Sequence, residues 1–278
     1  WKINNIYKLA FGTSVDNDLE LNGVVEEKSK LMNLSLQILK KGKLLPSGIF
    51  SIINNSLNIP IDQFAIKNKI FFFNISELNE TFDMKNASVD IIARAKLPIK
   101  KTNDAEIIVF KFDNEPKDYF CILIGKVSKK NSSNLIPTVR IHSQCVTGDI
   151  FHSLKCDCGE QLNKSIDLMV ENGEGLIIYL PQEGRDIGLT NKIRAYKLQE
   201  DGLDTVDANL TLGFRDDERS YDVAVAILNK LNFKKINLIT NNPNKIKKLN
   251  EDGLEVLNVI KLNIEPNKIN KSYINTKK

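Results

Sequence analysis

Strand-like and helix-like patterns alternate through the second half of this chain. A helical pattern at 158–173 leads into the apolar run 175–180, and a polar loop at 181–186 leads into a second helical pattern at 187–202. The alternation continues as far as the apolar run 254–262. Strands that alternate with helices across short loops are typical of layered α/β proteins. We therefore predict an α/β layer architecture for this half.

Three further β-rich runs lie just upstream, at 106–112, 119–127 and 138–143, with polar turns between them. Their β-branched and aromatic residues are typical of strands, and we interpret the three runs as adjacent strands. The charged, proline-containing stretch at 94–106 separates them from the preceding residues. We place a domain boundary near 91–97, so that the second domain covers 93–278.

The first 92 residues differ in composition from the rest of the chain. They contain no cysteine, histidine or arginine, and are therefore poor in catalytic side chains. Their main features are a helical pattern at 31–48 and a short, almost wholly apolar run at 68–76 that suits a buried strand. We predict a small α+β domain of unknown role at 1–92, which makes the whole chain α/β with an α+β character overall.

Composition argues against several classes of protein. The net charge is only +4, from 39 basic and 35 acidic residues, so we expect no nucleic-acid partner. No run approaches the ~18 apolar residues of a membrane span, and the first residues lack the pattern of a secretory signal, so we expect no membrane partner. Four cysteines are too few for a disulfide-stapled scaffold, which favours a reducing, cytoplasmic location.

Three of the four cysteines are grouped with the spacing C-x10-C-x-C, as Cys145, Cys156 and Cys158. Zinc favours thiolate ligands in a reducing cell. Three protein ligands with an open fourth position are typical of a catalytic zinc, whereas a closed structural site needs four. His142 or His152 would make the site a closed one by supplying the fourth ligand. The spacing alone leaves both alternatives open.

A second group of residues suits an anion. The loop at 181–186 joins a strand to a helix, and a helix start presents free N–H groups to a phosphate. Arg185 would add a bidentate contact, with Arg140, Lys192 and Lys245 contributing from elsewhere. The same loop would also serve as an ordinary helix start with a surface arginine.

The segment 216–222 begins another helical pattern, with Asp216 or Asp217 as a candidate N-cap. That explanation accounts for the acidic residues. It does not account for Arg219, because a cation in the positive first turn of a helix is unfavourable unless it is paired or bound to an anion.

Four segments together resemble one family, GTP cyclohydrolase II, the enzyme that opens the guanine imidazole ring at the start of riboflavin synthesis. The segments are 139–162, 182–224, 238–245 and 266–277, in the order the family has them. The resemblance covers about residues 93 to 278 and implies a mixed sheet with flanking helices. The first 92 residues resemble the N-terminal extension of some long bacterial members.

The resemblance implies a defined activity. A zinc ion on Cys145, Cys156 and Cys158, with an open position for water, would promote attack on C8 of GTP. The products would be formate, pyrophosphate and 2,5-diamino-6-ribosylamino-4(3H)-pyrimidinone 5′-phosphate. Magnesium would accompany the triphosphate, and the enzyme would be a cytoplasmic homodimer.

The resemblance also implies the remaining site residues. Asp217 would accept a proton, Arg219 would act as nucleophile on the α-phosphate, and Tyr196 would lie near the water and the base. The residues around GTP would be Arg140, Ile141, His142, Ser143, Gln144, Gln161, Glu183, Gly184, Arg185, Thr205, Thr240 and Lys245. Guanidinium is effectively always protonated and needs a nearby carboxylate to activate it, but residues two apart on a regular helix point apart. We therefore predict that 216–219 form an irregular turn or the first turn of a helix.

Two positions depart from the family pattern. Gln144 stands where many relatives have glutamate, and Asp186 stands where glycine or asparagine is common. Asp186 would add a charge near the phosphates unless it faces away, and we expect both changes to alter affinity for GTP rather than abolish function. The alternative function is a catalytically inactive GTP-binding regulatory protein with a structural zinc.

Overall fold

The computed structural model describes residues 30–48, 59–72, 87–113, 115–128 and 135–270. Within these ranges seven strands form one sheet. The strands are β1 (Val89–Lys96), β2 (Ala105–Phe112), β3 (Glu115–Gly125), β4 (Thr138–Ser143), β5 (Glu174–Leu180), β6 (Lys235–Ile239) and β7 (Glu255–Ile260). The helices are α1 (Lys30–Lys41), α2 (Ile61–Lys67), α3 (Val146–Asp149), α4 (Cys158–Glu171), α5 (Glu183–Asp186), α6 (Leu189–Glu200), α7 (Thr205–Thr211), α8 (Asp222–Lys230) and α9 (Pro243–Glu251), with a short 3-10 helix at Lys126–Ser128.

The sheet is mixed, which confirms the predicted class of fold. Its strand order is β1-β2-β3-β5-β4-β6-β7. The pairs from β1 to β5 are antiparallel, and the pairs from β5 through β4 and β6 to β7 are parallel. The expectation that β3 and β4 are neighbours is wrong, because β5 lies between them. Helix α4 belongs to the connection between β4 and β5, because two parallel strands require a crossover connection.

The core lies on both faces of the central strands. Strands β4 and β5 are buried along almost their whole length, as expected for parallel strands covered on two sides. Ile141 and Ile178 face one layer, where they pack with Ile227 of α8 and Leu249 of α9. Ile177 faces the other layer, where it belongs to the cluster that contains Met169 of α4. The alternation of faces along β4 leaves Arg140 and His142 on the face opposite Val139 and Ile141.

The N-terminal part agrees with the sequence at one place and differs at another. Helix α1 ends at Lys41, before the Gly42 turn, which is one of the two ends that the pattern at 31–48 allowed, the other being the turn at 46–48. The predicted buried strand at 68–76 is wrong for its described part: a turn at 68–69 follows α2, residues 70–72 form no strand, and Phe71 is 90% exposed. No described strand pairs with this run, and an apolar run alone cannot supply a partner. Residues 73–76 lie outside the described ranges.

Two boundaries bear on the predicted organisation. Strand β1 crosses the expected domain boundary at 92/93, and its first residues already pair with β2. The division into 1–92 and 93–278 stays a prediction. Helix α8 begins at Asp222, after the N-cap residue Tyr221, so the expected N-cap role of Asp216 or Asp217 is wrong. Among the described residues no helix has both the length and the apolar character needed to cross a membrane.

Gly125 tests the close contact between the end of β3 and Gly173, the residue that precedes β5. It ends β3 with a φ of +64°, and a Cβ built there would lie 2.2 Å from the carbonyl oxygen of Gly173. Gly173 has a similar φ of +68° but open space around it. We expect Gly125→Ala to lower the free energy of unfolding by about 3 kcal/mol, from backbone strain and steric overlap together. The control Gly173→Ala carries only the strain and should cost about 1 kcal/mol. Urea denaturation measures both values, and equal losses would contradict the predicted contact.

Candidate active site

A cavity of about 340 Å³ lies at the carboxyl ends of three parallel strands, β4, β5 and β6. Parallel strands end at the same edge of a sheet, so the loops that follow them converge there. Every site residue predicted from the sequence lines this cavity. The fold therefore brings all of them together, although their individual roles stay predictions.

The three clustered cysteines form one wall of the cavity. Cys145 follows β4, Cys158 begins α4, and their Sγ atoms and that of Cys156 all lie within 4.8 Å of one another. The Sγ atoms of Cys145 and Cys156 are 3.6 Å apart. In a tetrahedral zinc site with Zn–S bonds of about 2.3 Å, the sulfur atoms lie about 3.8 Å apart. The three thiols therefore fit a zinc ion.

Neither histidine belongs to this metal-ligand group. Among the described residues the group contains the three sulfur atoms and no other ligand atom. His142 Nε2 lies 3.1 Å from the carboxylate of Asp149. The arrangement therefore favours three protein ligands with an open position over a closed site completed by His142 or His152.

A buried network fixes Cys145 in place. Lys192 Nζ donates hydrogen bonds to Glu183 Oε1 at 2.6 Å, to Thr147 Oγ1 at 2.8 Å and to Cys145 Sγ at 3.1 Å. Glu183 Oε2 accepts from the backbone N–H of Val146 at 2.7 Å. Burial lowers the pKa of Lys192, but the bond to Glu183 and the charge of Cys145 raise it by more. Lys192 is thus a cation beside a thiolate, and the expectation that it contacts phosphate is not supported by its position.

Asp149 organises the other side of the cysteine loop. Its carboxylate accepts hydrogen bonds from the N–H of Cys145 at 3.0 Å and from the Tyr179 hydroxyl at 2.8 Å, and it fixes the ring of His142. Burial holds the pKa of His142 below its ordinary value, so the ring is neutral at pH 7. The buried Nδ1 atom of His142 has no hydrogen-bond partner among the described residues. A ligand or an ordered water molecule in the cavity would satisfy it.

Two buried cations create a demand for an anion. Arg140 is 6% exposed and donates to the carbonyl oxygen of Ile239 and the side-chain oxygen of Gln161. Lys245 is 5% exposed and donates to the carbonyl oxygen of Ile141 at 2.9 Å. Burial, and then the charges of Arg140 and Arg219, depress the pKa of Lys245. In the described part of the chain neither side chain has an ion pair with a carboxylate, so a bound anion would offset the cost of charging both of them in this buried place.

Asp217 and Arg219 form a two-point ion pair. The Nε of Arg219 donates to Asp217 Oδ1 at 2.8 Å, and Nη2 donates to Oδ2 at 2.7 Å. The N–H of Arg219 also donates to Oδ1 at 3.0 Å, which closes a tight turn. Residues 216–219 lie before α8 in irregular backbone, which confirms the predicted turn. Burial raises the pKa of Asp217, but the bonds from Arg219 lower it below its ordinary value.

The turn that carries Arg185 is strained. Gly184, Arg185 and Asp186 have φ values of +65°, +57° and +74°, all in the left-handed region. The expected regular helix start therefore lies further on, where α6 begins after Gly188. Arg185 Nη1 donates to the carbonyl oxygen of Asp216 at 3.2 Å and pairs with the Asp216 carboxylate. This bond links the turn to the Asp217–Arg219 segment.

Some residues of the cavity wall were not predicted. Residues 241–244 follow β6 at the same edge as the other loops, and the parallel-strand rule would have found them. Asn209 of α7 and Asp216 also line the cavity. Their presence depends on how α7 packs and on the link to Arg185, and no local sequence pattern reports either.

Comparison with known proteins agrees with this site. A family model described as GTP cyclohydrolase II matches residues 90–261. A protein of Haemophilus influenzae (strain PittGG) named GTP cyclohydrolase-2 is 41% identical over 191 residues, which cover 69% of this chain and 87% of that protein. Its counterpart in Psychromonas ingrahamii is 48% identical over 190 residues, covering 68% of this chain and 90% of that protein.

A longer relative matches more of the chain. The protein named Riboflavin biosynthesis protein RibBA of Endomicrobium trichonymphae is 38% identical over 249 residues, which cover 88% of this chain and 60% of that protein. Residues 90 to 278 are too few to supply a match of that length, so it extends upstream of residue 90. The chain therefore spans about 60% of the length of this relative.

Gly148 tests whether the cysteine wall is shaped for a metal. A Cβ built on Gly148 would lie 2.9 Å from Cys156 Sγ and 3.1 Å from Cys145 Sγ. We expect Gly148→Ala to push these sulfur atoms apart and to weaken zinc binding by about 10- to 100-fold. Gly202→Ala is the control for loss of stability, because Gly202 has a φ of +106° and nothing near its Cβ position, so this variant adds backbone strain without contact with the cysteines. Competition against a chromophoric zinc chelator measures the affinity, and equal affinities in the two variants would contradict the prediction.

Proposed function

This chain belongs to the GTP cyclohydrolase II family, and on that premise we propose that it hydrolyses GTP in a zinc-dependent reaction. The imidazole ring opens at C8, and formate and pyrophosphate leave to give 2,5-diamino-6-ribosylamino-4(3H)-pyrimidinone 5′-phosphate. The observation that carries the proposal is one cavity that combines three thiols with buried cations and an Asp–Arg pair. The reaction would supply the first step of riboflavin synthesis.

The cysteine wall would act on the guanine ring. Cys145, Cys156 and Cys158 would hold the zinc ion, which supplies Lewis acidity for the hydrolytic step when it is bound. Lys192 stabilises negative charge on Cys145 through its hydrogen bond to Sγ. Tyr196 lines the cavity next to this network, with its ring centre 5.7 Å from Lys192 Nζ. That position supports a role for Tyr196 near the reacting ring.

The cationic side of the cavity would bind the triphosphate. Besides burial, the charge of Arg219 lowers the pKa of Arg140, and the charges of Arg140 and Arg219 lower the pKa of Lys245, so the three side chains lie close together. Arg185 reaches the same cavity from the strained turn. We propose that these side chains hold the phosphates of a magnesium–GTP complex, whose metal ion enters with the substrate. Gln144, which carries no charge, lines the cavity where many relatives have glutamate, so altered affinity for GTP remains our expectation.

The Asp217–Arg219 pair would act on the α-phosphate. A guanidinium group is a nucleophile only if a base removes its proton, and Asp217 accepts hydrogen bonds from Nε and Nη2 of Arg219. The same two-point geometry would let Arg219 stabilise phosphate charge without attack. We propose the first role, with Asp217 as proton acceptor. The two roles differ in what a lysine at this position would do.

Formate release tests the proposed activity directly. Purified protein with GTP, magnesium and zinc should release formate, and chelation of zinc should abolish the release. Cys156→Ser should also abolish it, because the site keeps too few soft ligands. Cys121→Ala is the matched control, since Cys121 is buried in β3 outside the cysteine wall, and it should retain activity. Tight GTP binding by the unmodified chain without formate would instead support the inactive regulatory alternative.

Arg219→Lys tests the Asp217–Arg219 pair. Lysine keeps the charge but cannot form the two-point bond to a carboxylate, so we expect formate and pyrophosphate production to fall by at least about 100-fold. Arg94→Lys is the control, because Arg94 is an exposed residue of β1 that pairs with Glu106. Steady-state kinetics measures both. Substantial activity in Arg219→Lys would show that the residue acts only by stabilising charge.

Dimerisation, which the resemblance implies, stays a proposal. The described contacts all lie within one chain, and a mass measurement in solution decides the oligomeric state.

A further inference from the structure

The last residues of α1 and the segment that follows them pack directly against the loops of the cavity. We call these residues, 40–46, the N-terminal clasp. Lys43 lies two residues after the end of α1 with a φ of +56°, and the N–H of Leu44 donates to the carbonyl oxygen of Leu39 at 2.9 Å, which turns the chain toward the cavity loops. Leu45 then packs on the apolar cluster that contains Ile187 and Phe214.

The clasp fits closely where it meets the second domain. A Cβ built on Gly213 would lie 2.9 Å from Pro46 Cγ, and one built on Gly188 would lie 2.8 Å from Lys43 Cβ. The side-chain amide of Asn191 donates to the carbonyl oxygen of Lys43 at 2.9 Å. Each of these contacts joins the clasp to an element that borders the cavity.

Lys43 holds the strained turn that carries Arg185. Its Nζ donates to the carbonyl oxygen of Asp186 at 2.8 Å and pairs with the Asp186 carboxylate. Arg185 and Asp186 both have left-handed backbone, a conformation that costs free energy for residues other than glycine and persists only where the surroundings hold it. Lys43 provides such a hold from outside the cavity.

Lys40 holds the second loop. Its Nζ lies 2.6 Å from Glu218 Oε1, and the Glu218 side chain is only 10% exposed. Burial raises the pKa of Glu218, but the bonds from Arg215 and Lys40 lower it to about 2, so the carboxylate is ionised at neutral pH. Glu218 lies between Asp217 and Arg219, which line the cavity while Glu218 does not.

The two loops are also bonded to each other. The N–H of Glu218 donates to the carbonyl oxygen of Arg185 at 3.2 Å, and the Arg185 side chain binds Asp216. The clasp therefore fastens both members of one bonded pair of loops. The clasp also supplies the ion-pair partner of Asp186, which is Lys43.

We propose that Lys40 and Lys43 of the N-terminal clasp are positioning residues that keep Arg185 and the Asp217–Arg219 pair assembled for the phosphate end of the substrate. This inference rests on the proposed function. It assigns a role to part of the first 92 residues. Without the clasp the loops sample open arrangements, and the apparent affinity for GTP falls with the fraction of assembled sites, while chemistry in an assembled site is unchanged.

The test compares Lys43→Met, Lys40→Met and the double variant with Lys43→Arg. Methionine keeps the aliphatic stem but removes every donor, whereas arginine retains donors and charge. We expect the KM for GTP to rise about tenfold in Lys43→Met, with kcat within about twofold of wild type. Lys43→Arg should restore most of the affinity. Lys100→Met, in the turn between β1 and β2, is the control and should behave as wild type.

Hydrogen exchange without substrate provides a second readout. We expect the amides of Gly188 and Glu218 to exchange about tenfold faster in Lys43→Met and Lys40→Met respectively, with the amides of β5 unchanged. A fall in kcat at constant KM would indicate loss of folded enzyme instead and would overturn the proposal. Unchanged exchange in both loops would also overturn it.

The two readouts separate this inference from the proposed function. If the wild-type protein releases no formate from GTP, the proposed function fails and the kinetic comparison cannot be made. Exchange in the loops at 183–188 and 215–219 still decides whether the clasp holds them.

Discussion

The parallel pairing of β4 with β5 is the constraint on which the site depends. It brings the ends of both strands to one edge, and the N–H of Gln144 extends the pairing by donating to the carbonyl oxygen of Leu180 at 2.8 Å. Cys145 and Glu183, which follow the two strands, are then close enough for Glu183 to accept from Val146 N–H and from Lys192. A slip of one residue in this register would exchange Arg140 and His142 with the core residues beside them. The cysteine wall and the buried cations thus share one structural origin.

The sequence was sufficient to predict local elements where apolar periodicity was strong. Helix α4, strand β5 and helix α6 lie where the alternating pattern placed them. The pattern did not reveal that β5 lies between β3 and β4, because strand order is set by long-range pairing. It also placed a buried strand at 68–76, although Phe71 is exposed. An apolar run reports hydrophobicity, but burial requires a partner that the run itself does not specify.

The sequence predicted which residues line the site better than it predicted the contacts that those residues make. Family resemblance identified residues that all line one cavity, and the Asp217–Arg219 pairing that it implied, together with helix geometry, predicted the irregular backbone at 216–219. The sequence suggested a phosphate contact for Lys192, yet its Nζ binds Glu183, Thr147 and Cys145, because α6 packs under the loop after β4. The sequence indicated no partner for the charge of Asp186. Its partner Lys43 lies 143 positions away, in a segment without a recognisable motif. Partner choice of this kind follows from packing, which no local pattern encodes.

The burial of Arg140 beside Lys245 also affects the stability of the folded protein and its lifetime in the cell. Burial, and then the charge of Arg140, depress the pKa of Lys245, so charging both side chains is costly until an anion joins them, and a ligand that binds only the folded state stabilises that state by mass action. On the proposal that the cavity binds GTP, nucleotide supply would influence how long a molecule of this protein escapes proteolysis, because degradation follows the unfolded fraction. Depletion of the nucleotide would then lower the abundance of the protein without any change in its synthesis.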